Sequence, residues 1–325
     1  MRIAFLWDWD NDIFQMGTWR DGLAAAIRIL STRHEVKFFT CGKRDFVFPH
    51  EYFDIHVVLS GEPMVQAVKE FNPDVILHWA DATRPHAEPL KALGKPMALC
   101  FAGGNPFGPT WALFDHIFVE SQSYLMQYQN RGFGDQVSTA FGTNTKLFDP
   151  AHPMAVGQAK MFDACFPATY CDWKRHKLFA DAVRGMNVVT AGYMYLDHET
   201  YCWEAAQGAG ALALPHVSAE TLRAIYAASR TCVITSHWTG GSQRTVLEAM
   251  AMNVPMIVMS DSDKTSEYVI DCGEGLVVPP DPAAIREAIQ DSMRKEVKTR
   301  EYVLGKWSET HYADALEAGL KKITC

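Results

Sequence analysis

The residue types with the most chemistry per unit length lie in Gly240-Gly241-Ser242-Gln243-Arg244-Thr245-Val246-Leu247-Glu248. Paired glycines let a backbone come close to a ligand and take conformations that a Cβ forbids. Ser242 suits a helix N-cap. Beyond it, the first free N–H groups and the positive end of the helix dipole face the turn, a seat for an anion such as a diphosphate. Glu248 then falls near the middle of the helix, among Val246, Leu247, Ala249, Met250 and Ala251. A carboxylate in such surroundings is costly unless it is paired or hydrogen-bonded. The same letters also fit a solvent-facing glutamate beside an ordinary loop, and the segment alone leaves both readings open.

The elements that must position these residues follow from hydrophobic patterning. Apolar runs bounded by turn residues alternate with helix-length segments, the mark of an α/β protein with parallel sheets. Strands are expected at 3–7, 36–40, 55–59, 75–78, 97–101, 117–119 and 137–140, then at 161–166, 188–191, 211–214, 232–235, 256–259 and 275–278. Helices are expected at 18–31, 63–71, 85–93 and 122–129, then at 174–183, 219–229, 245–252, 266–270, 282–293 and 308–322. Pro150 and Pro153 interrupt the alternation. The expected division is a first domain over 1–148, a second over 149–307, and a closing helix within 308–325.

Composition narrows the class. A chain of 325 residues suits two domains of ordinary size. Hydrophobic content of 48% with 21% charged residues describes a globular protein. No apolar run approaches membrane-spanning length, and Met1-Arg2-Ile3-Ala4-Phe5-Leu6-Trp7 enters a strand without the pattern of a secretion signal, so a cytoplasmic location is expected. Eight cysteines without C-x-x-C spacing point to reduced thiols. A net charge of −8 gives no footprint for nucleic acid.

Three stretches together carry a resemblance. The first is Glu248-Ala249-Met250-Ala251 with Pro255 and the apolar strand after it. The second is Ser266-Glu267-Tyr268-Val269 followed by Cys272-Gly273-Glu274-Gly275-Leu276-Val277-Val278-Pro279-Pro280-Asp281-Pro282. The third is Ala140-Phe141-Gly142-Thr143-Asn144-Thr145-Lys146-Leu147-Phe148-Asp149-Pro150. The chain resembles the retaining glycosyltransferases of family 4, which have the GT-B fold. The resemblance implies two facing Rossmann-like doubly wound domains, with a C-terminal helix crossing back to the first. It implies transfer of a sugar from a nucleotide-sugar donor to an acceptor with retention, the leaving phosphate itself helping to deprotonate the acceptor. Lys174 and Glu248 become the principal catalytic-site residues, Lys174 on the diphosphate and Glu248 on the ribose. Gly240, Gly241, Ser242, Arg244 and Thr245 become the donor turn and the first turn of its helix. His216 and Val217 become the loop at the nucleotide base, and Gly17 part of a glycine loop after the first strand. No metal or other cofactor is expected.

Other residues carry two readings each. Asp8-Trp9-Asp10 is a D-x-D, a metal motif on a different glycosyltransferase fold; here it reads equally as an acidic lip on the acceptor side. His78 and Asp81 end a strand where ligands sit in parallel sheets, and are acceptor-side candidates. A histidine there also serves as ordinary structure. Lys174 reads alternatively as a surface cation.

Departures from the family keep rival functions open. Its first paired glutamate falls on Gly240, its diphosphate arginine on Thr169, and its cleft histidine on Ala102. Arg244, Arg175, His237 and His176 are the nearby groups expected to compensate. A non-catalytic relative that binds a nucleotide, a sugar or a protein partner is one rival, and a sugar-nucleotide epimerase of the same fold is another.

Overall fold

The computed structural model describes residues 1–7, 22–43, 45–49, 54–80, 86–101, 111–194, 200–240 and 244–324. The chain forms two compact units, Met1–Gly142 together with Glu309–Cys325, and Thr143–Ser308.

Along the first unit run β1 (Arg2–Trp7), α1 (Gly22–Arg33), β2 (Glu35–Gly42), β3 (Phe46–Pro49), β4 (Asp54–Leu59), α2 (Glu62–Phe71) and β5 (Val75–Ala80). They are followed by α3 (Ala87–Lys91), β6 (Met97–Phe101), β7 (His116–Val119), α4 (Gln122–Gln129) and β8 (Val137–Thr139). The second unit contains β9 (Ala164–Pro167), α5 (His176–Ala182), β10 (Val188–Ala191), α6 (Thr200–Gly208), β11 (Leu212–Leu214), α7 (Ala219–Ala228) and β12 (Cys232–Ile234). It continues with α8 (Arg244–Ala251), β13 (Met256–Met259), α9 (Asp263–Cys272), β14 (Leu276–Val278), α10 (Pro282–Ser292) and α11 (Thr299–Lys306), after which α12 (Glu309–Thr324) closes the chain.

In the first unit the strand order is β3-β4-β2-β1-β5-β6-β7-β8, parallel except for the antiparallel pair β3 and β4. Parallel strands buried on both faces read as near-continuous apolar runs, as Met97-Ala98-Leu99-Cys100-Phe101 does, with every residue buried. One face packs Leu23, Ala26, Ile27 and Leu30 of α1 with Tyr312, Ala313, Leu316 and Leu320 of α12. The other packs Met64, Val68 and Phe71 of α2 with Tyr124 and Tyr128 of α4.

The closing helix belongs to the first unit although the chain reaches it from the second. Arg33 at the end of α1 donates to Asp314 and to Glu317 at 2.7 Å each. Gly319 faces β7 so closely that a Cβ would lie 2.4 Å from Phe118 Cε1. A glycine in mid-helix weakens the helix; here it permits the approach.

The second unit has the order β11-β10-β9-β12-β13-β14, parallel throughout the described pairs. Chain order reverses between β9 and β12. In such sheets ligands bind outside the carboxyl ends of the strands at that reversal. No helix among the described residues is long and apolar enough to cross a membrane, and the described cysteines are all free thiols.

Candidate functional site

The loops leaving β9 and β12 are laced together at the strand-order reversal. Thr235 Oγ1 donates to the Lys174 carbonyl at 2.7 Å, and the His237 amide donates to the Trp173 carbonyl at 2.8 Å. Tyr170 fixes the start of the β9 loop: its hydroxyl sits 2.8 Å from Thr190 Oγ1 and donates to the Leu214 carbonyl at 3.0 Å, reaching β10 and β11. Gly192, just past β10, makes this packing possible, since a Cβ there would fall 1.9 Å from the Ala168 carbonyl oxygen.

Lys174 does not open a helix, contrary to the sequence-based expectation. Asp172–Lys174 is a single 3-10 turn, and α5 begins at His176. Between them Arg175 takes a left-handed conformation, φ 54° and ψ 48°, which breaks helical propagation and costs an L-residue about 1–2 kcal/mol. The half-buried Lys174 thus sits on a loop at the carboxyl edge of the sheet.

Two of the four expected compensating groups are committed elsewhere. The Arg175 guanidinium is bidentate on Asp261, at 2.7 and 2.9 Å, and donates to the carbonyls of Thr235 at 2.5 Å and Ser236 at 3.1 Å. The paired guanidinium holds the Asp261 carboxyl below the usual carboxylate range. His176 is buried, donates Nε2–H to the Thr169 carbonyl at 2.9 Å and stacks on Tyr170 at 4.7 Å. Burial pushes its pKa down to about 4, so at neutral pH it supplies no charge. His237 stands in the loop with Nδ1 3.1 Å from Thr239 Oγ1.

The neutral His176 predicts a pH dependence. Its folded pKa is lowered, so between the ordinary histidine value of 6.5 and about 4 the unfolded chain binds a proton that the folded chain does not. Stability is therefore full above that window and falls as pH drops through it, by roughly 3 kcal/mol in all. Denaturant titrations of the chain and of His176→Gln at pH 7 and pH 5 check this. The substituted chain should lose less stability on acidification, and equal losses would contradict the assignment.

Glu248 lies on α8 and is only 5% exposed, which excludes the solvent-facing reading. Tyr226 of α7 donates its hydroxyl to Glu248 Oε2 at 3.0 Å. Burial, reinforced by the negative Glu248, pushes the Tyr226 hydroxyl well above its ordinary pKa, so it remains a donor. A hydrogen bond to a charged group of this kind contributes about 1.5–3 kcal/mol. Arg300 steadies the other end of α8, donating to the Ala251 carbonyl at 3.0 Å while its own amide bonds Asn253 Oδ1 at 2.9 Å. A cation at a helix carboxyl end satisfies free carbonyls and complements the dipole.

Arg244 is the first residue of α8, and Gly240 ends the 3-10 turn Trp238–Gly240 before it. Thr245 follows on the first turn, its carbonyl 3.4 Å from the Tyr226 hydroxyl. His216 and Val217 lie between β11 and the Ser218 cap of α7, with the His216 ring 6.3 Å from that of Tyr193. Gly241, Ser242, Gly17, Asp8, Asp10 and Asp81 lie outside the described residues. In the first unit His78 is 0% exposed on β5, edge-on to Phe114 at 5.4 Å. It is a core residue in this structure, and the acceptor-side role expected of it lacks an accessible ring.

Three participants escape the sequence reading. Asp261 partners Arg175, Tyr226 aims Glu248, and the buried Lys264 donates to the Trp238 carbonyl at 3.1 Å, with its ammonium 5.4 Å from the indole. Tyr226 and Glu248 are 22 residues apart and on different helices. The one sequence signal for the pair is that an apolar helix face around Glu248 demands some partner.

Residues 169–295 match the family model described as glycosyl transferases group 1. That stretch lies wholly within the second unit. The matched stretch spans Lys174, His216, Arg244, Glu248 and Asp261. Solved structures of the GT-B type align along almost the whole chain. Sucrose-phosphate synthase from Thermosynechococcus elongatus is 15% identical with a TM-score of 0.74, covering 99% of this chain and 98% of that one. HepE from Anabaena, in complex with UDP and glucose, is 14% identical with a TM-score of 0.73 and 99% coverage of each chain. The catalytic domain of starch synthase IV from Arabidopsis thaliana, bound to ADP and acarbose, is 12% identical with a TM-score of 0.69 and 99% coverage of each. At these identities the likeness establishes the GT-B fold. No curated protein matches the sequence.

Proposed function

We propose that the protein transfers a sugar from a nucleotide-sugar donor to an acceptor, with retention. The observation that carries the reading is the buried Glu248 carboxylate, aimed by Tyr226, on the helix after β12 within the matched stretch. Glu248 holds the ribose hydroxyls of the donor. Lys174 and the turn containing Gly240, Gly241 and Ser242 hold the diphosphate, and the loop at His216 and Val217 holds the base. Catalysis rests on positioning and on stabilising charge that grows on the departing diphosphate; the leaving oxygen takes the acceptor proton. No divalent metal is required, because helix N-termini and cations meet the diphosphate charge.

A second reading, a relative that binds a nucleotide without transfer, is favoured by the commitment of Arg175 to Asp261 and by the neutral His176. Arg244 decides between the two. A guanidinium on the first turn of α8 is suited to a bidentate phosphate contact. A panel of UDP- and ADP-sugars, tested by thermal shift with a chelator present, should include at least one that stabilises the chain by mass action. Arg244→Ala should then weaken UDP or ADP much more than uridine or adenosine. Equal losses, or stabilisation that appears only on adding magnesium or manganese, would contradict the proposal.

A further inference from the structure

Among the described residues three non-glycines have positive φ: Asn72, Asn253 and Arg175. Asparagine tolerates that region, and Asn72 caps the carboxyl end of α2 while Asn253 follows α8. Arg175 has neither excuse. It stands between a 3-10 turn and the first residue of α5, where glycine would adopt the same backbone without strain. Such strain persists only where the surroundings over-determine it, and it gathers at functional sites.

Here the side chain supplies the over-determination. A guanidinium has five N–H donors, and Arg175 uses its fork on Asp261 and further N–H groups on the carbonyls of Thr235 and Ser236. One residue thereby ties the carboxyl ends of β12 and β13 to the loop leaving β9. The neighbouring bonds from Thr235 Oγ1 to the Lys174 carbonyl and from the His237 amide to the Trp173 carbonyl complete the lacing. Lys174 immediately precedes Arg175 in the chain, so the same strained link constrains where it sits.

We infer that Arg175, braced by Asp261, is a positioning residue for the diphosphate end of the donor site: it holds Lys174 and the turn after β12 at a fixed separation without touching the ligand. The inference rests on the donor-site reading given above. A guanidinium occupied in this way is not available as a phosphate ligand, which distinguishes its role from that of Arg244.

The full-length chain is titrated calorimetrically with UDP and ADP, and with UMP and AMP, alongside Arg175→Gly and Asp261→Asn. Glycine suits the backbone at 175, and asparagine keeps the shape at 261 while losing the charge. Both variants should melt close to the unsubstituted chain and bind the diphosphate roughly tenfold more weakly, with the monophosphate affected less than about threefold. Arg175→Lys, which keeps the charge but not the fork, should not restore binding. Equal weakening for diphosphate and monophosphate, or unchanged diphosphate affinity, in Asp261→Asn overturns the positioning role even if Arg175→Gly fails to fold. An unsubstituted chain that binds none of the four nucleotides overturns the donor-site reading, and this inference with it.

Discussion

Glu248→Gln is expected to weaken UDP or ADP binding by roughly ten- to a hundredfold, the loss of a charge-assisted contact worth about 1.5–3 kcal/mol. Glutamine keeps the shape and an oxygen for the Tyr226 hydroxyl, which now reaches Glu248 Oε2 at 3.0 Å. It loses the charge and one acceptor that would face the ribose hydroxyls. Removing a charge from a site only 5% exposed also removes a desolvation cost, so melting should hold steady or rise. Tyr226→Phe should weaken binding less, because the carboxylate survives and only its aim is lost. The two losses should not add in the double variant, since they share one bond. Calorimetry that finds unchanged affinity together with unchanged melting would remove Glu248 from the site.

Gly192→Ala should produce the largest loss of stability. Its Cβ would lie 1.9 Å from the Ala168 carbonyl oxygen and 2.6 Å from the carbonyl carbon. Both are backbone atoms, and neither can rotate away as a flexible side chain does. The loop leaving β9 must shift, and with it the Ala168 amide that donates to the Ala191 carbonyl at 3.0 Å. Overpacking of this kind costs roughly 3 kcal/mol, and each kcal/mol lowers the melting midpoint by about 2–4 °C for a unit of this size. Gly305→Ala is the control: it lies in α11 with nothing within 4 Å of its Cβ position, and alanine there should stabilise by about 0.5–1 kcal/mol. A Gly192→Ala chain that melts with the unsubstituted one would mean that the two loops do not approach as described.

What the sequence makes readable is what repeats locally. Met256-Ile257-Val258-Met259 announces a buried parallel strand because all four residues are buried between helices. Pro282 after Asp281 announces α10, and Asp281 does accept the Ala284 amide at 2.9 Å. β3 escapes because it is a four-residue antiparallel edge strand ending in Pro49, where strand propensity is weak. The start of α5 is misread because Lys174-Arg175-His176-Lys177 has helical composition; the left-handed Arg175 is imposed by partners 60, 61 and 86 residues away. The aim of Glu248 is unreadable for the same reason, since its donor comes from another helix. Local propensity proposes elements, and tertiary bonds decide where they stop and which way their polar side chains point.

The proposed nucleotide-sugar site lies at the carboxyl ends of β9 and β12. It is tested most directly by a crystal structure of the chain soaked with UDP or ADP in the presence of a chelator. A diphosphate is expected within hydrogen-bonding distance of Lys174 and of the turn before α8, with the ribose hydroxyls on Glu248 and the base beside His216 and Val217. A nucleotide seated anywhere else, or a diphosphate held through a metal on Asp8 and Asp10, would contradict it.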